Sequence, residues 1–157
     1  FPKGLTRQDV PVHWHLITKI DRISILPERL SYYRQQPQAT THKKDARLFD
    51  LAIVMDITKE YLINSGLYET YKDEFLRQQL GFLSGMIDFI EEPLKKKAMK
   101  MLHGRMGEDQ WGYINSKKPL RWQTRDFYLA LNGSSTAQLR RYVWLLSRRI
   151  YRGLKPN

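Results

Sequence analysis

A single carboxylate, Asp9, stands at the predicted start of a helix and is the sharpest candidate for chemistry in the chain. A carboxylate in that position has two ordinary uses. It can cap the helix by accepting hydrogen bonds from free backbone N–H groups, or it can remove a proton as a general base, which accelerates a reaction by about 10²–10⁴-fold. The local pattern alone favours the cap. His13 follows one helical turn later, close enough in sequence to share a site with Asp9.

A second group of polar residues follows a tyrosine-rich stretch. Arg34 ends that stretch, and Thr40, Thr41 and His42 come next in a polar segment that contains Pro37 and reads as a loop. Arginine suits phosphate recognition because its guanidinium is planar, permanently charged and able to bind two oxygens at once. A solvated arginine at the end of a strand explains the same pattern equally well.

Several kinds of metal and phosphate site are missing from the sequence. The chain has no cysteine, so disulfides and cysteine-based metal sites are excluded. His13 and His15 are two residues apart, a spacing that does not place two side chains on one helix face. The chain contains neither an Asp-x-Asp sequence nor a glycine-rich phosphate loop. We therefore expect the chain alone to bind no metal.

Two stretches of the sequence resemble the second half of the catalytic domain of family 2 glycosyltransferases of the GT-A type. They are Gly4-Leu5-Thr6-Arg7-Gln8-Asp9-Val10-Pro11 and Leu30-Ser31-Tyr32-Tyr33-Arg34-Gln35. In that family a Phe-Pro-Glu-Gly-Leu-like entry leads to a Glu-Asp pair, then a helix, a short strand and a Tyr-Tyr-Arg strand. The present chain has Gln8 where the family has Glu. The resemblance is concentrated in residues 1–44.

The resemblance implies an inverting glycosyltransferase of cell-surface polysaccharide or glycolipid synthesis, which moves a sugar from a nucleotide-sugar to an acceptor hydroxyl. Asp9 matches the family's general base, and His13 is expected to line the acceptor pocket. The loop that closes over the donor diphosphate and the acceptor is matched by Arg34, Thr40, Thr41 and His42. The chain would be a fragment, inactive alone, that works with an N-terminal nucleotide-binding half of the same protein. The divalent metal, Mg²⁺ or Mn²⁺, of the complete enzyme would be held by the Asp-x-Asp motif that this chain lacks. The resemblance further implies a cytoplasmic, bacterial enzyme that acts on a saccharide or lipid-linked acceptor.

The elements that must position these residues change character near residue 45. Before it we predict a helix over residues 9–21, two short strands at 22–26 and 29–34, and the polar loop. After it the apolar period is helical, and helices are predicted at 45–64, 67–90, 94–106, 108–114, 121–131 and 136–152. The predicted fold class is mainly α with a small two-stranded β element, the C-terminal portion of an α/β GT-A fold plus a helical extension. The predicted units are a catalytic segment at 1–44, a helical extension at 45–116 and a basic helical tail at 117–157.

The net charge of +11 is unevenly distributed. Residues 117–157 contain ten Lys/Arg and one acid, Asp126, and so carry +9 of it. Such asymmetry indicates an anionic partner: a membrane surface, a phosphorylated substrate or nucleic acid. No apolar run approaches the ~20 residues needed to span a bilayer. A basic nucleic-acid-binding module or a helical protein-interaction module remains the alternative function, and nucleic acid is the less favoured partner because no recognised motif is present.

The last predicted helix carries Leu139, Val143, Leu146 and Ile150 at helical spacing. Basic and aromatic side chains surround this apolar stripe and are the predicted membrane-binding residues: Arg140, Arg141, Trp144, Arg148, Arg149 and Arg152. Such a helix can lie in a membrane interface. It can equally pack its apolar stripe on the protein core and leave a basic outer face.

Overall fold

The described part of the chain, residues 3–28, 31–32 and 44–153 of a computed structural model, contains helices and no strand. Side chains are described as far as residue 148. The helices are α1 (Asp9–Ile17), α2 (Asp50–Asn64), α3 (Tyr68–Phe89), α4 (Lys95–His103), α5 (Glu108–Asn115), α6 (Trp122–Leu131) and α7 (Ser135–Gly153). Short 3₁₀ turns at Ala46–Phe49 and Glu92–Leu94 lead into α2 and α4. The helices predicted after residue 45 are thus confirmed to within a few residues at each end.

The predicted two-stranded β element, and with it the α/β GT-A fold class, is wrong for the described residues. Residues 22–28 form neither a helix nor a strand. The apolar side chains that suggested a strand, Ile23 and Ile25, are exposed and have no core to face. A strand exists only by pairing with another strand, and the alternation of side chains cannot supply the partner. Most of the second predicted strand, at 29–34, lies outside the described residues.

The helix boundaries follow from local chemistry. The carboxylate of Asp45 accepts the backbone N–H of Arg47 at 3.0 Å and so starts the 3₁₀ turn before α2. α2 ends at Asn64, and two residues later Gly66 has a φ of +68°, in the left-handed region that glycine adopts without strain. The N–H of Leu67 then returns to the carbonyl of Leu62 at 2.8 Å, a bond that satisfies a carbonyl left free at the helix end.

The core is built around α3, which packs against α2, α4, α5 and α6. The stripe predicted for α2 is confirmed, because Leu51, Ala52, Met55 and Leu62 are all buried. One cluster of buried side chains runs without interruption from Val10 on α1 to Tyr128 on α6. Residues from all three predicted units therefore meet in it or pack beside it. None of the helices in the described ranges combines the length and the apolar character that crossing a bilayer requires.

Candidate active site

The helix that carries the candidate base, α1, is fixed to α2 and α3 by a few specific contacts. Val10 is buried, and the indole Nε1 of Trp14 donates to Oε1 of Gln78 at 2.6 Å. The Trp14 ring meets the rings of Tyr71 and Phe75 edge-on, with centroids 6.1 and 6.3 Å apart. Aromatic pairs in this arrangement stabilise a contact beyond the area they bury. These contacts join α1 to α3, more than fifty residues later in the sequence.

The turn that leads into α1 is also held in place. Thr6 donates twice to Oδ2 of Asp50 at the start of α2, from its backbone N at 2.7 Å and from its Oγ1 at 2.9 Å. Within the turn, Gly4 has a φ of +83° and Arg7 a φ of +60°. A left-handed arginine is strained and persists only where surrounding contacts fix the backbone. The turn before Asp9 is therefore held in one conformation, and a glycine at position 4 allows the positive φ that this conformation requires.

Asp9 is the first residue of α1, and its side chain is exposed. The N-cap position belongs to Gln8, which makes no side-chain capping bond; its amide donates instead to the carbonyl of Leu5 at 2.7 Å. Among the described residues, no hydrogen bond or ion pair reaches the Asp9 carboxylate. Asp9 therefore does not cap α1 in the structure, although the local sequence favours that role. The carboxylate is open to a group from outside.

A groove begins one turn further along α1. His13, Trp14 and Ile17 form one wall, and α3 together with the segment that enters α6 forms the rest. The groove measures about 940 Å³, near the upper end of the ~300–1,000 Å³ typical of ligand sites. Its lining mixes aromatic, amide and charged side chains: Tyr71, Glu74, Arg77, Gln78, Phe82, Arg121 and Thr124. Such a surface suits a ligand that combines hydroxyl groups with an apolar face.

Several groove residues were missed by sequence reasoning, although a signal for them exists. Tyr71, Glu74, Gln78 and Phe82 recur every three or four residues and so share one face of α3. Because this face mixes charged, amide and aromatic side chains, the sequence alone does not show what packs against it. The partner is α1, whose packing against α3 through Trp14 leaves the groove between them.

The predicted site residues of the polar loop, Arg34, Thr40, Thr41 and His42, lie outside the described residues. His15, which was not predicted to be part of a site, lies beside Tyr61 with ring centroids 5.0 Å apart and a tilt of 51° between the rings. Within residues 3–28, 31–32 and 44–148, no three His, Asp or Glu side chains converge in a way that could hold a metal ion.

The basic residues predicted to bind membrane make contacts within the protein where they are described. Arg140 binds Asp126 through two bonds, Nε–Oδ2 at 2.8 Å and Nη2–Oδ1 at 2.7 Å. These bonds raise the pKa of Arg140. Arg141 pairs with Asp88 at the end of α3, and its guanidinium lies 4.6 Å from the centroid of the Phe127 ring.

The remaining members of that set lie further along α7. The guanidinium of Arg148 lies 4.7 Å from the centroid of a Trp144 ring, and Trp144 meets Trp122 edge-on at 6.2 Å. The side chains of Arg149 and Arg152 lie outside the described residues. The side of α7 that carries Arg141, Trp144 and Arg148 therefore faces α3 and α6.

No protein-family model, no curated protein and no solved structure matches the chain.

Proposed function

We propose that this chain carries the acceptor side of an inverting glycosyltransferase similar to family 2, with Asp9 as the general base. One observation carries the proposal: an exposed carboxylate, unpaired among the described residues, opens α1 one helical turn before His13, where the lining of the groove begins. A carboxylate used only for helix capping would be bonded to backbone N–H groups. The sequence around Asp9 adds support, because it resembles the entry to the base of that family.

The proposed reaction uses Asp9 for one proton transfer. The carboxylate accepts the proton of an acceptor hydroxyl while the hydroxyl oxygen attacks the anomeric carbon of the donor sugar. The bond from that carbon to the nucleoside diphosphate breaks, and its electron pair leaves with the diphosphate. The attack from the opposite side inverts the anomeric carbon. The residues of the described chain do not fit the divalent ion of such enzymes, so no step is assigned to one here.

The groove is the proposed binding site of the acceptor. His13 is one turn of α1 from Asp9 and lines the groove, so an acceptor lying there would bring a hydroxyl to the carboxylate. The aromatic rings would pack on the apolar face of a sugar, and the amide and charged side chains would orient its hydroxyls. The acceptor class is a saccharide, free or linked to a lipid.

An apolar surface next to the groove is the proposed contact for the nucleotide-binding half of the enzyme. The exposed apolar side chains in this part of the chain are Leu16, Ile17, Ile20, Ile23, Ile25 and Leu26. A concentration of this kind marks an interaction site. The donor, a nucleotide-sugar, would be held by that half. We place the complete enzyme in the bacterial cytoplasm, peripheral on the inner face of the membrane.

The test is the substitution Asp9→Asn in the complete enzyme that contains this chain. The amide keeps the size of the side chain and removes its basicity, so turnover should fall by about 10²–10⁴-fold. Affinity for the nucleotide-sugar should change little, because the donor is held elsewhere. Asp21→Asn is the matched control, since Asp21 is another exposed aspartate shortly after α1. Its turnover should stay near the parent value. Near-normal turnover of Asp9→Asn would remove the base assignment.

A further inference from the structure

The helix α7 is oriented with its apolar stripe away from the protein. Ala137 is fully buried and Trp144 is half-buried on the side that packs against α6 and α3. The opposite side exposes four apolar or aromatic side chains, here called the outer stripe: Leu139 (63% exposed), Tyr142 (62%), Val143 (57%) and Leu146 (39%). The alternative in which Leu139, Val143 and Leu146 pack on the core does not hold.

Ion pairs explain this unusual rotation of α7. Arg140 and Arg141 are bound by Asp126 on α6 and Asp88 on α3, so the basic side of the helix is the side that faces the protein. Asp126 is only 4% exposed, and a buried carboxylate requires a charged or hydrogen-bonding partner. The arginines supply these partners, so α7 turns its basic side toward the protein. The outer stripe, on the opposite side, therefore contacts no core residue among those described.

We propose that the outer stripe is a docking surface for an anionic lipid bilayer. In this arrangement α7 lies parallel to the membrane, with the stripe inserted at the boundary between headgroups and acyl chains. Residues 117–157 carry a net charge of +9, and this charge draws the C-terminal part of the chain toward an anionic surface before the stripe inserts. The inference does not depend on the chemistry proposed for Asp9.

Charge and area both favour a membrane over a second copy of the chain. Two copies would bring together two segments, residues 117–157 of each chain, that each carry a net charge of +9, and like charges repel. A standard protein interface buries ~800 Å² per partner, from about 20–30 residues. Four partly exposed side chains fall well short of that. A bilayer needs only a short apolar stripe, provided that charge adds to it.

The same geometry disfavours nucleic acid as the occupant. Nucleic-acid binding depends on Lys and Arg that reach phosphates. The outer stripe consists of apolar and aromatic side chains, while Arg140 and Arg141 are engaged by aspartates and Arg148 by Trp144. A surface of this composition inserts into lipid more readily than it follows a phosphate backbone.

The proposal is tested by sedimenting the 157-residue chain with vesicles. One set contains phosphatidylglycerol and phosphatidylcholine, and the other contains phosphatidylcholine alone. We expect binding to the anionic vesicles at low salt that weakens as salt shortens the Debye length. The double variant Leu139→Gln/Val143→Gln should bind at least about tenfold more weakly, because it removes the two most exposed aliphatic side chains of the stripe. Both positions are exposed, so the variant should fold, which circular dichroism checks.

The matched control is Ile53→Gln/Ile63→Gln, which removes two exposed apolar side chains from α2. Its vesicle binding should equal that of the parent chain. The proposal is overturned if the parent chain stays in the supernatant at low salt, if neutral vesicles bind it equally well, or if the α7 variant binds like the parent. A dimer in sedimentation velocity that the α7 variant abolishes would assign the stripe to a second copy and also overturn it.

Discussion

Asp109 shows how one carboxylate can join two helices of this protein. It lies in the first turn of α5 and accepts from two residues of α3: the hydroxyl of Tyr68 at 2.9 Å and Nζ of Lys72 at 2.6 Å. The hydrogen bond from Lys72 holds the pKa of Asp109 below its ordinary value, and the bond from Tyr68 adds to this. Burial raises the pKa of the Tyr68 hydroxyl, with Asp109 contributing further. Both shifts favour the charged carboxylate and the protonated phenol together.

The lowered pKa of Asp109 gives a prediction for acid unfolding. A carboxyl whose pKa is lower in the folded than in the unfolded chain binds fewer protons when folded. Its stabilisation is therefore present above the unfolded pKa of about 3.9 and is lost as the pH falls through the folded pKa. Asp109→Asn should lower the free energy of unfolding at pH 7 by about 1 kcal/mol or less, because the pair is partly exposed to solvent. Below about pH 4 the difference between the variant and the parent should shrink as the pH falls.

Urea unfolding at pH 7, 4 and 3 measures this difference. Asp21→Asn is the control. Asp21 is exposed, so this variant should unfold like the parent at all three pH values. A difference between Asp109→Asn and the parent that stays constant over the whole range would contradict the assignment. The cost would then come from packing and not from the carboxylate charge.

Sequence reasoning at the residue scale proposed Asp9 and His13 as candidate site residues, but it did not single out Asp109. Asp9 carries a signal in its own neighbourhood, because it opens a helix within a stretch that resembles a known family. Asp109 also opens a helix, yet its partners lie about forty residues earlier on α3. No local pattern links the two positions. The same limit hid Gln78 and Tyr71, which border the groove only because α1 packs against α3.

At the scale of elements, the placement of α1 depends on one carboxylate of α2. Asp50 accepts both donors of Thr6, so it ties the turn before Asp9 to the body of the protein. A hydrogen bond to a charged group contributes ~1.5–3 kcal/mol, and ~1.4 kcal/mol corresponds to a tenfold change in an equilibrium. Removing the Asp50 carboxylate should therefore weaken the attachment of the turn measurably.

We predict that Asp50→Ala raises the hydrogen-exchange rates of Thr6 and the α1 amides at least about tenfold, while α3 keeps its protection. Hydrogen-exchange mass spectrometry resolves the two regions. Asp56→Ala is the matched control: it removes another aspartate of α2, one whose carboxylate binds Arg105 and does not touch α1. If α1 exchanges at the parent rate in Asp50→Ala, or if all helices lose protection equally, the Asp50 carboxylate does not hold α1 in place.

Elements differ in how far the sequence predicts them. The helices after residue 45 were predicted well because the apolar period and the terminating Gly66 and Gly133 are local signals. The strands were not, because pairing is non-local and Ile23 and Ile25 find no partner among the described residues. The helix α7 was predicted correctly, but the sequence left open whether its apolar stripe faces the core or points away from it. The rotation of the helix is set by Asp88, more than fifty residues earlier on α3.

On the scale of the whole molecule, two groups of exposed apolar side chains stand out. One lies at residues 16–26 and the other is the outer stripe of α7, and neither belongs to the continuous core. We propose a different partner for each: the nucleotide-binding half of the enzyme for the first, and a bilayer for the second.

This division predicts how the isolated chain behaves toward a donor. Titration of the 157-residue chain with nucleotide-sugars and Mg²⁺ or Mn²⁺ should show no site tighter than roughly millimolar, equivalent to about 4 kcal/mol of binding free energy. The reason is that the donor contacts are assigned to another part of the enzyme. Isothermal titration calorimetry measures this directly. Micromolar affinity would mean that the donor site lies within this chain and that the groove has been assigned to the wrong substrate.

The contact between Trp14 and α3 has a practical consequence. An indole that is hydrogen-bonded to Gln78 and wedged against Tyr71 and Phe75 sits in a rigid, asymmetric environment, which gives a tryptophan strong near-ultraviolet circular dichroism. When α1 detaches, that environment disappears while the other three tryptophans of the chain, all from residue 111 onward, keep theirs. The difference spectrum between the parent chain and Trp14→Phe is therefore an optical record of whether α1 is docked.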